Sequence, residues 1–114
     1  MYYMLLLYIS DRPQPGTPDA AEEFDKVRAF HRVCRERGAL VASAPLTEPR
    51  AATTVRTRGG RTVKLDGPFA ETKEWLGGYF ILDCEHLEEA LRLAAMCPTA
   101  AVGSVEVRPL LELG

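Results

Sequence analysis

The chain is predicted to fold as an α+β sandwich, with helices layered on one face of an antiparallel sheet. Three observations predict it. Two helical patterns each sit between strand-like runs, so the order reads strand-helix-strand, hairpin, strand-helix-strand. The runs TTVRTR and RTVKLD flank Gly59-Gly60, a two-residue hairpin signal. The runs Tyr2–Ile9 and Leu76–Leu82 are apolar without alternation, as buried central strands are.

Tyr2–Ile9 is rich in aromatic and branched residues and forms the first strand. The start MYYMLLLYIS lacks a basic leader, its apolar run is short, and Asp11-Arg12 follows at once, so a strand is expected there and not a signal peptide. DRPQPGTPD, with three prolines and a glycine, is a loop. A helix is expected from Ala20 to Arg37, stopped by Gly38, with Asp19 as cap and Glu22 completing a capping box. Ala20, Phe24, Val27, His31 and Cys34 share its apolar stripe.

Ala39–Leu46 is a second strand, and Pro45 and Pro49 mark it as an edge. The hairpin follows, with one wet face. Leu76–Asp83 is a central strand. A second helix, Glu85–Met96, carries Leu87, Ala90, Leu91, Ala94 and Ala95 on one face and ends where Pro98 restricts Cys97. Ser104–Leu111 is the last strand, with Val105 and Val107 opposite Ser104, Glu106 and Arg108. Omitting the hairpin, this is the ferredoxin-like order. The 114 residues suit one domain, residues 1–114.

Both helices of such a sandwich cover the same face of the sheet. Strands apolar on both faces then need a second cover, which the chain does not contain. A second copy is the simplest cover, so a homodimer packed sheet to sheet is expected. The net charge of −2 argues against a nucleic-acid footprint, and the four basic residues of the hairpin are too few to make one. No run is long enough for a membrane helix. Three cysteines without framework spacing suit a reducing, cytoplasmic setting.

DGPFAETKEWLGGY, Asp66 to Tyr79, closely resembles the signature of DGPF-domain proteins, a branch of the YCII-related family. ERGALVASAPL, AAMCPTA and GSVEVRPL resemble that family's pattern elsewhere, so the likeness covers nearly the whole chain. The resemblance implies the dimeric α/β-barrel superfold, in which two ferredoxin-like sandwiches face each other through their sheets. It implies a loosely defined function, with some members linked to sigma-factor regulation through gene neighbourhood. A second branch of the family pairs a helix-borne histidine with an aspartate. Asp66 matches the aspartate. The family's histidine position falls near Val27, and His31 stands one turn later on the same face.

The candidate catalytic residues are therefore Asp66 and His31, as an acid/base pair. Their bland readings are a corner aspartate bound to its own backbone and a core histidine. Phe69, Lys73, Trp75, Tyr79 and Arg108 are candidate substrate contacts. Against these stand core packing for Trp75 and Tyr79, solvated ions for Lys73, and an ion pair with Glu106 across the dimer for Arg108. Gly77-Gly78 marks a bulge, or the close approach of a ligand or partner sheet. The basic hairpin residues Arg56, Arg58, Arg61 and Lys64 read as a solvated face. No metal motif, Walker loop, GxGxxG or GxSxG appears, and no cofactor is expected. Two functions remain open: a cofactor-free enzyme of isomerase or lyase type acting on a small molecule, and a non-catalytic dimer that binds a ligand or protein partner.

Overall fold

The computed structural model describes residues 1–112. Its elements are β1 (Tyr2–Ile9), α1 (Pro18–Glu36), β2 (Leu40–Pro45), a 3-10 turn (Pro49–Ala51), β3 (Thr53–Arg58), β4 (Arg61–Asp66), β5 (Trp75–Asp83), α2 (Leu87–Met96), α3 (Thr99–Val102) and β6 (Ser104–Pro109). Four strands form one antiparallel sheet in the order β2-β5-β1-β6, the ferredoxin-like arrangement. β3 and β4 form a separate two-stranded sheet. Among the described residues no helix is long and apolar enough to cross a membrane.

The core lies between the four-stranded sheet and the helices. Strand alternation sends Tyr3, Leu5 and Leu7 of β1 and Phe80 and Leu82 of β5 into it. Phe30 and Cys34 of α1 and Ala90, Leu93 and Ala94 of α2 meet them. Phe30 packs edge-on to Phe80, with ring centroids 5.0 Å apart. Cys34, Cys84 and Cys97 are free thiols in this core. Burial pushes all three pKa values up, that of Cys34 to about 11. Elevated pKa values leave these thiols protonated and unreactive near neutrality.

The helices differ from expectation in start and facing. α1 begins at Pro18, and its cap is Thr17, whose Oγ1 accepts from the Ala20 N–H at 3.2 Å. Asp19 lies inside the first turn, where its charge suits the helix dipole, and does not cap. Phe24 and Val27 are exposed, and Phe30 takes the core position. On α2 the cap is His86, accepting at Nδ1 from the Glu89 N–H. Leu87 and Leu91 are exposed, while Leu93 is fully buried. Cys34, Ala90 and Ala94 of the expected stripes lie in the core, while the outlying members Phe24, Val27, Leu87 and Leu91 do not. The apolar arc is wider than the contact, and the position of the sheet decides which part is covered. Pro98 ends α2 as expected and then opens α3, an element not anticipated.

Two glycine positions have definite geometric causes. Gly59 and Gly60 have φ values of +57° and +78°, as a tight primed hairpin turn requires. At Gly77 the pairing of β1 with β5 slips, so β5 carries one extra residue there. A Cβ on Gly77 would come within 2.7 Å of the Ile9 side chain and 3.3 Å of the Arg12 guanidinium. The outer strands β2 and β6 are six residues long, and each ends in proline, Pro45 and Pro109.

Candidate functional site

The face of the sheet opposite the helices follows from the register. Residues directly opposite one another share a face. One row across the strands reads Ala42, Ile81, Met4, Arg108; the next reads Ala44, Tyr79, Leu6, Glu106. Tyr8 lies between Leu76 and Ser104 in a third. Three strands thus present an apolar surface, and β6 presents a polar edge. No layer of the described residues covers it.

The polar edge is internally paired. Arg108 Nη2 donates to Glu106 Oε2 at 2.9 Å, and the Tyr8 hydroxyl donates to Glu106 Oε1 at 3.3 Å. The Arg108 hydrogen bond holds the Glu106 carboxyl below the usual carboxylate range, with the Tyr8 bond adding to it. Glu106 in turn raises the Arg108 pKa. This ion pair lies within one chain. Further along, Ser104 Oγ donates to Glu74 Oε1 at 2.9 Å.

At one end of the sheet lies a cleft of about 270 Å3, lined by Ser10, Asp11, Arg12, Glu48, Pro49, Arg50 and Trp75. Arg12 organises it. Its guanidinium lies 5.2 Å from the Trp75 ring centroid. Nη1 donates to the Leu46 carbonyl at 2.9 Å and Nη2 to the Gly77 carbonyl at 3.1 Å. One side chain from the β1–α1 loop therefore fastens the ends of β2 and β5, and the bulge at Gly77 leaves the room for it. Sequence reasoning passed over Arg12 because DRPQPGTPD reads only as a loop. No local pattern in the sequence sets Arg12 against Trp75. Glu48 and Arg50 form an exposed ion pair at 3.1 Å on the far wall.

The Asp-Gly-Pro-Phe corner follows the hairpin. Gly67, at φ +93°, ties it down: its N–H donates to the Ala52 carbonyl at 2.7 Å, and Thr54 Oγ1 donates to its carbonyl at 2.8 Å. Asp66 is exposed at the end of β4, and its carboxylate accepts no hydrogen bond among the described residues. Phe69 is 78% exposed, and Lys73 is exposed as well. The Thr72 hydroxyl donates to the Glu74 carbonyl.

His31 lies on the helix side of the sheet, half-buried, with its ring 6.2 Å from that of Phe80. No hydrogen bond or ion pair joins it to Asp66 among the described residues. Being only half-buried, the imidazole is not forced to find a partner, and no buried side-chain nitrogen or oxygen is left unsatisfied among the described residues. The structure thus brings Trp75 together with Arg12, and Tyr79 with the open sheet face. It leaves Asp66, Phe69 and Lys73 at the hairpin base and His31 in the helix layer. No group of three His, Cys, Asp or Glu side chains among the described residues is arranged to hold a metal ion.

The YCII-related domain model matches residues 1–114. The chain belongs to the YCII-related family. A relative from Rhizobium meliloti (strain 1021), described as uncharacterized protein R00369, is 46% identical over 114 residues, covering 96% of this chain and 92% of that protein.

Proposed function

We propose that this YCII-related protein works as a homodimer, packed through the open faces of two four-stranded sheets, that binds a small organic molecule without a cofactor. The observation that carries the reading is the composition of the open face. Met4, Leu6, Tyr8, Tyr79 and Ile81 form an apolar surface on the central strands, with no cover among the described residues. Two such faces would bury each other as sandwich sheets do, about 10 Å apart. The polar strip along β6 borders that surface and supplies orienting groups for a small ligand, and the Arg12–Trp75 cleft at the end of the sheet is a second polar recess.

Tyr79→Asp sets a charge in the centre of the face. Sedimentation velocity is expected to give a dimer for the native chain and a monomer for the variant. A native monomer at tens of micromolar, or a variant that stays dimeric, overturns the reading.

Asp66 and His31 divide the reading into two forms. In the catalytic form they transfer a proton in an isomerisation or elimination, with Phe69, Lys73, Trp75, Tyr79 and Arg108 as substrate contacts. In the non-catalytic form the same protein binds a ligand or a protein partner, as a regulator linked to a sigma factor would. The lack of any hydrogen bond between His31 and Asp66 favours the second form. Asp66→Asn separates them once a thermal-shift metabolite screen has supplied a ligand. Unchanged ligand binding with turnover lowered by orders of magnitude identifies the catalytic form, and the absence of turnover in the native protein identifies the other.

A further inference from the structure

We infer that the β3–β4 hairpin is an arm that docks on a second copy of this chain, against the acidic surface formed by the start of α1. This contact is additional to the sheet pairing proposed above and rests on that reading only for the presence of two copies.

The hairpin is well specified yet uncovered. The Gly59-Gly60 turn fixes its register, and the Thr57 and Thr62 hydroxyls hydrogen-bond across it at 3.1 Å. Every residue of both strands except Thr54 is exposed, including Val55, Val63 and Leu65. The two strands pack on each other and only sparsely on the rest of the chain. The radius of gyration is 16.1 Å; a compact chain of this length would have about 13 Å. A lone two-stranded hairpin is marginal in water without a surface to pack on. At six residues per strand the arm reaches about 20 Å.

Charge indicates what that surface is. The hairpin carries Arg56, Arg58, Arg61 and Lys64 against Asp66 alone. The remaining residues carry ten basic side chains against fifteen acidic ones. The register puts Arg56, Arg58 and Arg61 on the same face as Val63 and Leu65, so one face is both basic and apolar. None of these three arginines has an acidic partner among the described residues; Arg58 donates only to the Thr57 carbonyl.

The complementary surface is at the other end of the charge balance. Asp11, Asp19, Glu22 and Glu23 line a second cleft of about 270 Å3 with Pro13, Lys26 and Val102. Lys26 pairs with Glu23 at 3.4 Å and Glu22 at 3.8 Å, which leaves the cleft acidic on balance. Val102 is 66% exposed there, so this surface too sets an uncovered apolar group among acids. A basic, apolar arm and an acidic, apolar cleft that do not meet within one chain are matched between chains.

The test is a charge swap read by sedimentation velocity. R56E/R58E/R61E is expected to weaken self-association about tenfold and to remove its dependence on salt. E22K/E23K is expected to do the same, and an equal mixture of the two variants is expected to recover association. Thermal melting checks that each variant remains folded, which the arm's position outside the core favours. An arm variant that associates like the native chain, or a mixture that does not recover, overturns the inference. Tyr79→Asp reports on the sheet pairing separately. If that variant dissociates while the arm variant does not, the pairing stands and the arm contact fails; the reverse result rejects the pairing and keeps the arm.

Discussion

The molecule contains two antiparallel sheets built on opposite terms. The four-stranded sheet has helices on one face and takes Leu5, Leu82 and Phe80 out of water. The β3–β4 hairpin has equally regular pairing, from Thr53–Asp66 to Arg58–Arg61, and covers neither face. Both are regularly paired antiparallel ladders, so pairing alone does not distinguish them. The difference lies in burial: stability is concentrated where side chains leave water, and the hairpin is maintained by turn chemistry and cross-strand pairs.

Substitutions sharpen that contrast. Leu82→Ala removes a fully buried side chain and is expected to cost about 2–5 kcal/mol in urea unfolding. Val63→Ala, at a site 51% exposed, is expected to cost less than about 0.5 kcal/mol. Equal costs would mean that the hairpin is part of the cooperative core.

The core also carries a pH dependence. Burial, then the neighbouring Cys97 and Cys84, raise the Cys34 pKa from its ordinary 9.0 to about 11. A raised pKa favours the protonated form in the folded state, so this contribution is complete below pH 9 and is lost as pH rises through 11. Urea midpoints measured across that window are expected to fall more steeply for the native chain than for Cys34→Ala. At the loop that launches α1 the expected effect is smaller: Thr17→Ala removes the cap and is expected to cost about 1 kcal/mol, read from the same unfolding curves.

The same contrast explains what was legible in the sequence. Element order, the Gly59-Gly60 turn and the unalternating central strands are local patterns, and the fold follows them. The helix faces were legible only as broad apolar arcs. Phe24 and Leu91 suit those arcs as well as Phe30 and Leu93 do, and only the placement of the sheet separates them. The cap at Thr17 was masked because Asp19 and Glu22 imitate a capping box, although Pro18 is a first-turn signal. The candidate site was less legible. Trp75 and Tyr79 stand in a motif, but Arg12 reaches Trp75 from a loop that periodicity cannot place. Asp66 and His31 belong to the hairpin and the helix layer, two parts whose relation no local pattern encodes.

The proline that closes each outer strand has a consequence for crowded solution. Lateral growth of a sheet proceeds by recruiting a neighbour's backbone along an exposed border. Here both borders are short and end in a residue with no amide hydrogen to offer, Pro45 on one side and Pro109 on the other. Ribbon-like polymerisation through either border is thereby discouraged.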